Sequence, residues 1–164
     1  MSTAPQITER AGQPYVAVKA QVTMQNISAI ADRIPEVFGW LAAHGVAPAG
    51  APFLKYNVID MARLLEIEAG VPVAAAVDGD SGVLSGVLPA GRYATVMHVG
   101  HPAKLVDATA ELLAWASSKG LVFDVSQTEA GQRWGGRLEI YLTDPGKQPD
   151  IDKWETQLAF LLAD

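Results

Sequence analysis

The feature that most constrains this chain is a repeat. Trp40-Leu41-Ala42-Ala43-His44-Gly45-Val46 lies over Trp115-Ala116-Ser117-Ser118-Lys119-Gly120-Leu121. Both runs read as helix ends closed by Gly, the residue that turns a chain out of a helix at least cost. A second match follows in the same order, Leu65-Glu66-Ile67-Glu68 over Leu138-Glu139-Ile140-Tyr141. A duplicated unit decides architecture before any single motif does. Each unit reads strand–helix–strand–strand, over about residues 7–77 and 78–145. Two such units predict one antiparallel sheet with two helices on it, an α+β layer arrangement. A central cleft then runs between the halves near a pseudo-two-fold axis, where internal interfaces commonly hold ligands.

The segments follow from hydrophobic spacing. Residues 14–22 alternate and are rich in Val and Ala, which predicts a strand. Asn26 or Ser28 caps a helix whose stripe is Ile27, Ile30, Ile34, Val37, Phe38 and Leu41. Pro35 either opens the main helix in its first turn or kinks a longer one. Strands are predicted over 53–60, 63–68, 93–99 and 137–143, and a second helix carries Leu105, Val106, Thr109, Leu112, Leu113 and Ala116. Residues 121–125 read as a short strand or an extended link. Residues 78–86 and 128–136 read as turn and loop. The tail, about residues 150–163, places Ile151, Trp154, Leu158 and Leu161 at helical spacing and predicts a C-terminal helix packed on the body.

Composition narrows function. The 164 residues suit one domain or two fused modules, with 49% hydrophobic and 18% charged residues. Net charge is −6, with 12 Lys and Arg against 18 Asp and Glu. Scattered, outnumbered basic residues argue against direct nucleic-acid or anionic-membrane binding. Without cysteine there are no disulfides, zinc ribbons, iron–sulfur clusters or thiol nucleophiles. Met1-Ser2-Thr3-Ala4-Pro5-Gln6 has no signal-peptide pattern, and no apolar run reaches a membrane span, so a soluble cytoplasmic protein is expected.

The residues that could carry chemistry are few. In the strand 137–143, Leu138, Ile140 and Leu142 point one way, Glu139 and Tyr141 the other. If that second face meets solvent, Glu139 is an ordinary surface carboxylate. If it lines the cleft, Glu139 is a carboxylate among aromatic rings, whose pKa should rise or which should await a cation. Trp40 and Trp115 stand off the centres of their helices' apolar stripes. Each either shields a helix edge or offers a flat face to the cleft. Tyr15, Phe53, Tyr56, Trp134 and Tyr141 lie on or beside strands. Aromatic faces around one carboxylate suit a lipophilic cation, but most single aromatics simply fill cores. His98 and His101 flank a turn and have only His44 besides, which does not make a metal site, and no cofactor is expected. Gly131, Gly135 and Gly136 around Arg133 and Trp134 open no helix, so they are not a phosphate loop. Ser28, Ser81 and Ser85 lie in no nucleophile-elbow sequence.

Pro14-Tyr15-Val16-Ala17-Val18, the Trp40–Gly45 helix end, and Gly91-Arg92-Tyr93-Ala94…Val99-Gly100…Trp115…Gly120, followed by Arg137-Leu138-Glu139-Ile140-Tyr141-Leu142, resemble GyrI-like small-molecule-binding domains. These domains also serve as effector-binding domains of AraC- and MerR-type multidrug-responsive regulators. The resemblance covers about residues 5–145, and only its ordered set of motifs is specific. It implies two strand–helix–strand–strand modules with a ligand cleft between them. It also implies that the strand carboxylate of the second half, here Glu139 with Tyr141 beside it, meets lipophilic cations at the cleft floor. Tyr56, Trp40 and Trp134 transfer more loosely. The regulators carry a helix-turn-helix module, whereas this chain opens at its first strand, so a stand-alone binder is expected, one that works alone or with a regulator or other protein partner.

The expected function is broad binding of lipophilic, often cationic aromatic small molecules, with Glu139, Tyr141, Trp134, Tyr56, Trp40, Trp115 and Tyr15 lining the site. Two alternatives follow from the same resemblance. Some relatives hydrolyse cyclopropane-bearing DNA-alkylating toxins, for which Glu139 would serve as general base. Others inhibit DNA gyrase, for which the partner would be a protein.

Overall fold

The computed structural model describes residues 3–60 and 62–163; Met1 and Ser2, read above for a leader, lie outside them, as do Met61 and Asp164. Strand β1 (Gln6–Arg10) leads into β2 (Gln13–Val22). A single turn of helix, α1 (Ser28–Ala31), precedes α2 (Ile34–Ala43), which carries Pro35 in its first turn. Of the two roles open to Pro35, the structure takes the first. There its fixed φ is an asset and its missing N–H costs no hydrogen bond. Next come β3 (Phe53–Ile59), β4 (Leu65–Pro72), β5 (Leu84–Leu88), β6 (Gly91–Val99) and α3 (Leu105–Ser118). The chain then forms β7 (Val125–Thr128), β8 (Gly131–Trp134), β9 (Arg137–Tyr141) and β10 (Glu155–Leu161).

The two long helices end alike. Gly45 and Gly120 take φ of +67° and +69°, a region that costs other residues strain. Val46 N–H then bonds Leu41 C=O at 3.0 Å and Leu121 N–H bonds Ala116 C=O at 2.9 Å. This is the six-to-one closure of a Schellman motif at both ends of the repeat.

All ten strands join one antiparallel sheet, ordered β1-β6-β10-β9-β3-β4-β2-β5, with the β7–β8 hairpin attached to β3. Read outward from its middle, the order is β9-β10-β6 on one side and β3-β4-β2 on the other. Each half is therefore strand–helix–strand–strand, and β3 and β9 meet at the centre through Leu54 opposite Glu139. Links of two residues, 11–12 and 89–90, connect strands at opposite ends of this order, so the sheet must curl. Tyr15, Phe53, Leu88, Tyr93, Leu138, Ile140, Ala159 and Leu161 fill the inside of the curl. The larger cluster covers the other face, beneath the helices.

Several expectations need correction. The tail is not a helix. Residues 155–161 form β10, a central strand between β6 and β9. Leu158 and Phe160 enter the helix-side cluster, while Ala159 and Leu161 enter the inner one. A strand buried on both faces shows no alternation, and its apolar run imitates helical spacing. The second unit therefore runs past residue 145. Within the repeat β9 corresponds to β3, not to the 65–68 segment matched to it by sequence, and β10 corresponds to β4. Residues 84–86, the end of the segment read as turn, belong to β5. The 128–136 loop contains β8 and the end of β7. Strand β1 had no apolar signal in Gln-Ile-Thr-Glu-Arg.

Candidate functional site between the two helices

Helix α2 rests on β4 and β2, and α3 on β6. The central strands β9 and β3 lie between them, and the side chains on their helix-bearing face form the floor of a groove. Strand alternation decides which these are. Leu138 and Ile140 face inward. Arg137, Glu139 and Tyr141 therefore face the groove, with Leu54 and Leu158 flanking Glu139 and Phe160 beside Arg137.

Glu139 is half-buried, with protein packed closely around its carboxyl. Tyr141 Oη donates to its Oε1 at 2.8 Å, and the Tyr56 hydroxyl faces the same carboxyl. Burial raises the Glu139 pKa above the ordinary carboxyl value; the two hydroxyls and the Arg137 charge oppose that rise without overcoming it. Burial, and then the facing Glu139, push both tyrosine hydroxyls up.

The floor at the start of β9 is aromatic. Phe123, Trp134 and Phe160 pack mutually, with centroids 5.5, 5.8 and 6.0 Å apart. The Arg137 guanidinium lies 4.6 Å from the Trp134 ring centre, 4.7 Å from Phe160 and 5.9 Å from Tyr56. These are cation–π distances.

The structure brings Glu139, Tyr141, Tyr56 and, across Arg137, Trp134 together. Tyr15 is elsewhere: on the inner face its hydroxyl donates to Glu68 at 2.6 Å. Phe53 packs against it there, edge to face at 5.3 Å. Trp40 Nε1 donates to Asp80 in the β4–β5 loop at 2.7 Å, and its ring stacks on His44 at 3.9 Å. Those contacts tie it to that loop rather than to β9. Trp115 is half-buried on the flank of α3 against the large cluster. Sequence reasoning missed Arg137 and Phe160. Arg137 shares the parity of Glu139 and Tyr141 and was legible there. Phe160 was hidden by the helical reading of the tail.

The GyrI-like small molecule binding domain matches residues 3–162. The chain belongs to that family. The fold of this GyrI-like domain is similar to the C-terminal domain of EcmrR, with a TM-score of 0.76 at 16% identity over 98% of both chains. In the EcmrR–DNA complex the TM-score is 0.79 at 17% identity, over 98% of this chain and 57% of that one. The chain thus spans little more than half the length of that DNA-bound protein. SAV2435 bound to tetraphenylphosphonium is similar at a TM-score of 0.65 and 14% identity, over 98% of this chain and 94% of that one. A hydrolase from Listeria innocua is similar at 0.59 and 16% identity, over 97% and 91%. Curated proteins give no match by sequence. No helix among the described residues is long and apolar enough to cross a membrane.

Proposed function

We propose that this protein binds lipophilic aromatic small molecules, cations among them, in the groove between α2 and α3, and that Glu139 orients them. The observation that carries this reading is the Glu139 carboxyl, its pKa raised by burial, set among Tyr56, Tyr141 and, across Arg137, Trp134. A carboxylate held in that state gains by meeting a cation that brings little water with it. Affinity comes chiefly from apolar burial, at about 25 cal/mol per Å² removed from water. Family membership and a similar protein that binds tetraphenylphosphonium support the ligand class.

Isothermal titration with tetraphenylphosphonium tests this. Saturable binding is expected, weakened about tenfold by Glu139→Gln, with a neutral aromatic analogue almost unaffected. Equal losses for both ligands would remove Glu139 from charge selection, and no binding of either would remove the groove.

One observation favours hydrolysis as a second reading: a carboxyl with a raised pKa beside two hydroxyls is poised for general-base work on water. Incubation with a cyclopropane-bearing alkylating agent, followed by mass spectrometry, would then show a ring-opened product gained in water's mass. Glu139→Gln would abolish it. Unchanged starting material discards this reading.

A further inference from the structure

The groove already contains a cation, and it is the protein's own. The Arg137 guanidinium lies over Trp134 and Phe160 and within 6 Å of Tyr56. Among the described residues it has no ion pair within 4 Å and donates no hydrogen bond. The aromatic rings are what hold it, with Glu139 two residues along the same face acting at longer range. Trp134 and Phe160 are 6% and 1% exposed, whereas Arg137 keeps an open side. A molecule entering the groove therefore meets the guanidinium before the rings. A planar, weakly hydrated guanidinium is suited to this, because it stacks on flat faces and loses little hydration on doing so.

We propose that Arg137 is a specificity-determining placeholder: its guanidinium fills the aromatic cage next to Glu139, and a foreign lipophilic cation binds only by displacing it. This rests on the groove being the ligand site, as proposed above, and adds which ligands it prefers. With Arg137 seated, its positive charge lies on the same face as Glu139 and the cage is covered. The resting groove then accepts a neutral aromatic, or one carrying negative charge near the guanidinium, without rearrangement. A cation must first move Arg137 into solvent, which lowers its apparent affinity by the cost of that displacement. Burial pulls the Arg137 pKa down, but a guanidinium stays charged at neutral pH, so the placeholder is always present.

Tetraphenylphosphonium and tetraphenylborate have nearly the same shape and opposite charge, and they form the test. In titrations of the wild type and Arg137→Gln, the variant should bind the phosphonium about tenfold tighter and the borate about tenfold weaker. Equal or weaker phosphonium binding by the variant overturns the placeholder while leaving the groove as the site. Failure of both proteins to bind either ion overturns the ligand reading itself. The wild type supplies a readout that needs no variant. The Arg137 side-chain NMR signals should be shifted by the neighbouring rings and move to solvent-like positions on saturation with phosphonium. They should stay in place with borate. Ring-shifted signals that persist under phosphonium also overturn the proposal.

Discussion

Two glutamates sit on adjacent rows near the middle of the sheet, on opposite faces, and their surroundings differ in kind. Glu68 on the inner face is 6% exposed, lines a pocket with Lys55 and Asn57, and has three partners. Tyr15 Oη and Asn57 Nδ2 each donate to it at 2.6 Å, and Lys55 Nζ stands 3.7 Å away while also bonding Asn57. Glu139 on the groove face has one tyrosine at 2.8 Å and a cation held off by aromatic rings. A buried carboxylate whose hydrogen bonds and charge are all answered from within the fold is part of the framework. One that is answered in part, and still open to the surface, has capacity left for a ligand. The same residue type thus has three partners on one face and fewer on the other.

The sharpest way to break this comparison is Glu68→Ala. It strips three partners at once, two of them hydrogen bonds to a buried carboxylate, so denaturant unfolding should show a loss of about 3 kcal/mol. Glu139→Gln should cost far less; equal losses would make both glutamates framework. Next in size is Tyr15→Phe, expected to lose about 1.5 kcal/mol through one charge-assisted hydrogen bond. The glycines beneath that ring sharpen it. A Cβ at Gly86 would come within 2.8 Å of the Tyr15 hydroxyl, so Gly86→Ala should displace it from Glu68. If so, the double variant Tyr15→Phe with Gly86→Ala loses less than the sum of the singles; strict additivity would mean the clash is relieved elsewhere.

A smaller effect concerns pH. The folded-state pKa of Glu139 lies above its ordinary value of 4.5, so the folded protein keeps that proton longer than the unfolded chain. The stability this contributes is present below the ordinary value and is lost as pH rises through the raised one. Melting temperatures of Glu139→Gln and the wild type should therefore diverge in the variant's favour as pH rises above the ordinary value of 4.5. A constant gap would show that Glu139 titrates normally. The smallest expected change is Trp40→Phe, about 0.5 kcal/mol for an exposed hydrogen bond to Asp80. Its phosphonium affinity should match the wild type, and a marked loss would bring Trp40 back into the groove.

Much of the fold was legible because a repeat leaves its mark twice, in helix stripes and in Gly45 and Gly120. The alternation of Leu138, Glu139, Ile140 and Tyr141 gave the two faces of β9 directly. What stayed hidden had physical reasons. β10 is buried on both sides, so its run of Leu158, Ala159, Phe160 and Leu161 shows no period of two. β5 contains a glycine because the Tyr15 ring needs the space, and that glycine read as a turn. The β7–β8 hairpin is largely polar, with no buried face along β7 to impose alternation. At the site, Tyr15 and Tyr56 looked equivalent as strand tyrosines. Only the pairing of strands reveals that one serves Glu68 and the other faces Glu139.

The position of β10 also bears on how the molecule is made. β6 and β9 are joined in the sheet through β10, residues 155–161, a segment that follows both of them in the chain. As the polypeptide leaves the ribosome, the half containing β2, β3 and β4 can close on its own partners. The other half must wait with two open strand edges, which invite pairing with strangers. The hazard of mispairing during synthesis therefore falls on the half that carries Glu139.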